Sequence, residues 1–126
     1  MPRVLIIDDN EDNMKLISFI LEKNGYDTIQ AGSGREGIEQ ALTAQPDFIL
    51  LDIQLPDMDG LEVLKVLRQS DTCSGIPTIA VTSYAMSGDR DRLLAAGCNG
   101  YIEKPIDPET VVSEIRQVLE EAGMKK

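Results

Sequence analysis

Short apolar runs recur along the chain: VLII from Val4, a weaker alternating YDTIQ from Tyr26, FILL from Phe48, TIAV from Thr78 and YI at Tyr101. Each is too short for a helix and reads as a strand. Between them lie segments with helical spacing of apolar residues. These run from Asp12 to Lys23 (Leu16, Ile17, Ile20, Leu21), Arg35 to Thr43 (Ile38, Ala41, Leu42), Leu61 to Gln69 (Leu61, Leu64, Leu67), Arg90 to Ala96, and Glu109 to Glu121 (Val112, Ile115, Val118, Leu119). Gly25, Gly60, Gly75, Gly97, Pro46, Pro77 and Pro108 fall at the junctions, and Pro108 suits the first turn of the last helix.

Five strands alternating with five helices predict an α/β fold in which right-handed crossovers build a doubly wound parallel sheet with helices on both faces. VLII, FILL and TIAV are apolar on both faces, as central strands are, whereas YDTIQ alternates and reads as an edge. Ligands of such sheets bind beyond the carboxyl ends of the strands, where the strand order reverses.

The first strand ends in Asp8 and Asp9, the third in Asp52, the fourth in Thr82, and the fifth runs into Glu103, Lys104 and Pro105. Side by side, the central strands would gather three carboxylates, a hydroxyl and an ammonium on one edge. Two adjacent acids repel by roughly 1 kcal/mol at 4 Å even in water. A hard cation with oxygen ligands, Mg²⁺ foremost, is the natural compensator. Helix capping by Asp8 or Asp9 is the alternative, but capping needs one acid and not three from different strands. A metal beside a carboxylate, a hydroxyl and a lysine suits a phosphoryl group, with a carboxylate as nucleophile. Asp52 is the best nucleophile, although on physical grounds alone the acid pair and Asp52 could exchange roles.

At 126 residues the chain is expected to form one domain, 1–126, without disulfides. No apolar run approaches the roughly 20 residues of a bilayer span, and the start lacks a signal-peptide pattern, so a cytoplasmic protein is expected. Its net charge of −10 argues against nucleic-acid binding by phosphate neutralisation and against an anionic membrane. Histidine is absent, which removes His-dependent triads, most zinc sites and any phosphohistidine of its own. Cys73 and Cys98 form no CxxC pair and are expected to be reduced and at least partly buried.

These motifs, VLIIDDN, LLDIQLPDMDG, AVTSYAM and GYIEKPI, resemble in order and spacing those of the receiver domain of two-component response regulators, over nearly the whole chain. The resemblance is closest to single-domain and hybrid-kinase receivers, among them the single-domain chemotaxis type and DivK-type cell-cycle regulators. It implies a flavodoxin-like strand order, 2-1-3-4-5, and a switch that accepts a phosphoryl group on Asp52 from a phosphohistidine of a sensor histidine kinase or histidine phosphotransfer protein. Asp9 and Asp52 would bind Mg²⁺ with the backbone carbonyl of Gln54, and Asp8 would act largely through water. Lys104 would pair with the phosphoryl oxygens across a cis Lys104–Pro105 bond, which costs only about 0.5–1 kcal/mol before proline. Thr82 would move toward the phosphoryl group, and Tyr101 would turn into the space it leaves. Tyr84 is expected to shield the aspartyl phosphate from water.

A receiver without an output domain acts by contact on a downstream protein target, as an expected monomer for which dimerisation on phosphorylation stays open. Asn10, Met14 and Ser18, one helical turn apart, offer a face for the phosphohistidine partner if Met14 is exposed. Met86, Tyr101 and Val112 mark the readout surface that the resemblance implies. Three rivals stand beside this reading. Gly32, Gly34 and Gly37 form a G-x-G-x-x-G, a dinucleotide fingerprint if taken alone, but they follow the most polar strand. A phosphatase with an aspartyl-phosphate intermediate would usually carry a second Asp two residues after the nucleophile, where Gln54 stands. A pseudo-receiver that only binds partners would not need the intact acid, hydroxyl and lysine set.

Overall fold

The computed structural model describes residues 2–83 and 87–123, and each apolar run is a strand. The elements are β1 (Arg3–Ile7), α1 (Glu11–Lys23), β2 (Asp27–Ala31), α2 (Gly34–Ala44), β3 (Phe48–Asp52), α3 (Gly60–Gln69), β4 (Thr78–Thr82), α4 (Ser87–Ala95), β5 (Gly100–Glu103) and α5 (Val111–Glu121). The strands form one parallel sheet in the order β2-β1-β3-β4-β5. The polar strand is an edge, as its alternation predicts. β3 and β4 are buried along their whole length, as strands covered on both faces must be.

Alternation along the strands divides the core into two layers. Val4, Ile6 and Leu50 pack with Ile17, Leu21, Ile115 and Leu119 of α1 and α5. Leu5, Ile7 and Leu51 pack with Val63, Leu64, Leu67 and Leu93 on the other face, which carries α2, α3 and α4. Cys73 and Cys98 are free thiols buried in this second layer. The order reverses between β1 and β3, so the ends carrying Asp8, Asp9 and Asp52 meet at the position where such sheets bind ligands.

Three expectations shift, the first being that α4 begins at Ser87 and not at Arg90. The last helix begins at Val111 and not at Glu109; the Asp107 carboxylate accepts the Glu109 N–H, and its carbonyl accepts those of Thr110 and Val111. Pro108 sits in this lead-in turn, where its missing N–H leaves no bond unmade. Along α1 the buried stripe is Met14, Ile17, Ser18, Ile20 and Leu21, while Leu16 and Phe19 are 38% and 59% exposed. The stripe thus excludes Leu16. Lys23 covers Phe19, its Nζ 5.0 Å from the ring centroid.

Close approach of helices to the sheet is permitted by glycine. A Cβ on Gly37 of α2 would lie 2.4 Å from Ile7 Cδ1, and one on Gly60 at the start of α3 would lie 2.6 Å from the Cα of Ile53. The second contact is with backbone, which cannot rotate away. Gly60→Ala is therefore expected to destabilise the protein by about 2 kcal/mol and lower Tm by about 6 °C in thermal unfolding. Gly75→Ala, with nothing within 4 Å, should change Tm little; equal Tm values for the two variants would contradict this packing account.

Candidate functional site

The turn after β1 separates capping from the acids. Asn10 caps α1, its side chain accepting the Asn13 N–H at 2.9 Å. Asp8 Oδ1 accepts the Asn10 N–H at 2.9 Å and shapes the turn. Asp8 is buried and Asp9 exposed, and each offers an oxygen that lies, with one from Asp52, within 4.8 Å of the others. The three acids expected to converge do so.

Asp52, 3% exposed, has both oxygens engaged. Oδ1 accepts the Gln54 N–H at 3.0 Å, and Oδ2 lies 3.1 Å from Lys104 Nζ. Lys104 is held there through its own backbone, whose N–H donates to the Thr82 carbonyl at 2.8 Å, and its bond to Pro105 is cis. Thr82 ends β4 opposite Glu103, and Tyr101 pairs with Ala80 two residues earlier, so alternation puts Thr82 and Tyr101 on the same sheet face. Tyr101 is partly buried against the second core layer. Thr82 also lines, with Gln54, Leu61, Arg92 and Leu93, a cleft of about 430 Å³.

Three carboxylates against one ammonium leave a net charge of −2 when all are ionised. The strain falls on Asp8, whose carboxyl is pushed up to about 6 by burial, against the restraint of the Asn10 N–H, with the Asp52 charge adding to the rise. The donor set is all oxygen, and opposite ligands of an octahedral Mg²⁺ stand about 4.2 Å apart, close to the spread of these atoms. The residues fit a hard divalent cation.

The amides of the glycine loop before α2, which a dinucleotide phosphate would need, are engaged by the protein's own acids. The Gly34 and Arg35 N–H groups donate to the two oxygens of Asp57, at 2.9 and 3.0 Å. The Gly32 N–H donates to Glu36 at 2.7 Å, and Ser33 caps the Glu36 N–H. The Arg35 and Gly34 N–H groups hold the Asp57 carboxyl below the usual range. Asp57 is thus a tether from the loop after Asp52 to α2, a role hidden in the sequence because its partners are backbone groups about 20 residues away.

The expected partner face on α1 is corrected. Asn10 is exposed, but Met14 is 8% exposed within the core, and Ser18 is buried, its Oγ accepting from Gln30 Nε2 at 2.9 Å. Val112 is partly buried against the core. Tyr84 and Met86 lie outside the described residues. What α1 offers instead is Leu16, which with Asn13, Ser83, Lys104, Pro105 and Ile106 lines a hollow of about 340 Å³. No helix among the described residues is long and apolar enough to cross a membrane.

Comparison with known proteins agrees with this geometry. The profile of the response regulator receiver domain matches residues 4–116. The chain is 46% identical over 123 residues to the polar-differentiation response regulator DivK of Brucella anthropi, covering 97% of this chain and 100% of that one. It is 45% identical to the protein of the same description from Brucella ovis, over 94% and 97%. Among solved structures, the Vibrio cholerae chemotaxis protein CheY4 superposes with a TM-score of 0.90 at 30% identity, over 94% and 99%. A CheY-like receiver domain protein of Methanospirillum hungatei gives 0.87 at 32%, over 98% and 97%.

A raised carboxyl has a defined pH signature. The stability that protonated Asp8 contributes is complete below its unfolded value of 3.8 and is lost as pH rises through about 6. At about 1.4 kcal/mol per unit, the loss is on the order of 3 kcal/mol. Without divalent cations, Asp8→Asn should therefore be more stable than wild type at pH 7.5, with the difference shrinking toward pH 4. Added Mg²⁺ should raise the wild-type Tm more at pH 7.5 than at pH 5, and raise that of Asp8→Asn less. A difference between the two proteins that did not vary with pH would remove Asp8 as the strained group.

Proposed function

The chain belongs to the response regulator receiver domain family and is a phosphoryl-accepting signalling switch of two-component systems; on that premise we propose that Asp52 is the acceptor and that Asp8, Asp9, Thr82 and Lys104 serve it. The observation that carries this reading is the pairing of buried Asp52 with Lys104 inside a cluster of carboxylates that retains two excess negative charges. An ordinary ion pair would not need the other two acids.

The donor is the phosphohistidine of a sensor histidine kinase or histidine phosphotransfer protein. An Asp52 oxygen attacks phosphorus as the N–P bond breaks, and the electron pair returns to the imidazole, which takes up a proton. Lys104 already touches the nucleophile and is placed to follow the charge onto the phosphoryl oxygens. Mg²⁺ would supply further neutralisation of that charge, held by Asp9, Asp52 and the Gln54 carbonyl directly and by Asp8 through water. Asp8, buried and strained in the absence of a cation, gains most from its arrival. Thr82 turns toward the phosphoryl group and Tyr101 follows inward, which alters the face read by a downstream protein. With Gln54 where phosphatases usually carry a second acid, hydrolysis of the aspartyl phosphate is slow, and the chain acts as a switch and not as a turnover enzyme.

The hollow between α1 and the turn after β5 is the proposed approach for the phosphohistidine partner, because Leu16 there shares its walls with Lys104. An exposed leucine beside the acceptor's own lysine gives a partner helix an apolar foothold within reach of Asp52.

Intact-protein mass after incubation with acetyl phosphate tests the acceptor. The wild type should gain one phosphoryl group only with Mg²⁺, and Asp52→Asn none; an equal gain in Asp52→Asn would overturn the assignment. For the docking face, Leu16→Glu should lower the rate of transfer from a phosphohistidine protein, relative to the rate from acetyl phosphate, at least tenfold. An unchanged ratio would place the partner elsewhere.

A further inference from the structure

The acid cluster is assembled from two strands, and one exposed side chain links the segments that follow them. Asp8 and Asp9 come after β1, whereas Asp52 ends β3 and runs into the loop of residues 53–59. Gln54 in that loop donates its N–H to Asp52 Oδ1 at 3.0 Å. The base of the loop is closed by backbone, since Gln54 bridges Asp59 and the Gly60 N–H donates to the Ile53 carbonyl at 2.9 Å. Its tip is held from outside. Asp57 accepts the Gly34 N–H on one oxygen at 2.9 Å and the Arg35 N–H on the other at 3.0 Å, and Met58 lies over Gly34, where a Cβ would collide with its Cγ. α2, which offers these amides, packs in turn on β1 through Gly37 and Ile7, the residue before Asp8.

This link is not a helix cap. α2 has its own in Ser33, on the Glu36 N–H, and α3 has Asp59, on the Leu61 N–H. Asp57 takes two further amides at the start of α2, with charge-assisted bonds in a favourable backbone dipole. Nor does packing do the same work. Ile53, Leu55 and Met58 rest partly against the second core layer, but apolar contact is non-directional and sets depth without orientation. Gln54 itself is exposed. The direction of its peptide is therefore set by the hydrogen bonds at the two ends of the loop, which are directional.

We propose that Asp57 is a positioning residue for the cation site: by pinning the β3–α3 loop to α2, it fixes the Gln54 peptide relative to the acids that follow β1. The proposal rests on the reading of Asp52 and its neighbours given above. Both Asp57 oxygens are taken by amides, so it acts through the loop and is not a ligand. A site held in register before the cation arrives loses less freedom on binding it, and that saving appears as affinity.

The test uses the unphosphorylated full chain, titrated with MgCl₂ and followed by ¹⁵N-resolved NMR, together with amide exchange in the metal-free protein. Asp57→Ala should weaken Mg²⁺ binding at least fivefold and, without metal, speed exchange of the Gln54 amide at least tenfold. Asp57→Asn removes the same charge but keeps one oxygen for one amide, so its losses should be smaller; equal losses in the two variants would assign the effect to long-range charge and overturn the proposal. Ser33→Ala, which removes the α2 cap without touching the loop, should lower Tm yet leave Mg²⁺ affinity within twofold of wild type. Wild-type affinity in Asp57→Ala, or an equal loss in Ser33→Ala, would overturn the proposal and leave the tether a purely structural one. Unchanged Gln54 exchange would also overturn it, whatever the metal does. A wild type that binds no Mg²⁺ at millimolar concentration would overturn the reading of the site itself and the proposal with it, a failure distinct from that of the tether, which Gln54 exchange reports alone.

Discussion

The structure is organised around a repulsion: carboxylates from two strands are held within 4.8 Å of one another, with one lysine among them. Left in water, such groups would separate. Here β1 and β3 are hydrogen-bonded neighbours whose residues Val4 to Ile7 pair with Phe48 to Leu51, so the acids that follow them cannot part without breaking the centre of the sheet. Burial of the two central strands on both faces supplies the free energy that enforces the cluster. The site is therefore strained by design of the sheet, and the strain shows on Asp8.

Support for this edge comes from three turns with separate tasks. Asn10 relieves the acids of capping duty. The Lys104 backbone hangs from the Thr82 carbonyl, which places its ammonium on Asp52 while tying β5 to β4. The loop after β3 folds back on itself, the Gly60 N–H donating to the Ile53 carbonyl at 2.9 Å, and Asp57 pins it to α2. Amides that might have bound a phosphate-bearing cofactor are thereby engaged by the protein's own acids. A glycine pattern that reads as a nucleotide motif serves close packing of α2, through Gly37 on Ile7, and a protein-internal anion site.

Most of this was legible in the sequence because apolar runs mark buried strands and each run ends in a polar residue with no packing reason to be there. Asp8, Asp9, Asp52, Thr82 and Lys104 were readable on that ground. What was not readable depends on angles between elements. The period of α1 admits more than one buried stripe; contact with β2, including the Ser18 bond to Gln30, selects the one that buries Met14 and exposes Leu16. The Arg68 guanidinium donates to Cys73, Thr78, Gly97 and Asn99, residues from two loops and a strand that no local pattern links. Asp57 escaped for the same reason.

The helices on the second face are not equally anchored, and this bears on how a change at the strand ends could travel. α3 buries Gly60, Val63, Leu64 and Leu67, whereas among the described side chains of α4 only Leu93 is buried and Leu94 is 46% exposed. At roughly 25 cal/mol per Å² of buried apolar surface, shifting α4 costs far less than shifting α3. α4 also forms one wall of the Thr82 cleft, through Arg92 and Leu93, with Leu61 of α3 on the fixed wall. A change at the end of β4 would therefore meet the weakly held wall of this cleft before it reached α3.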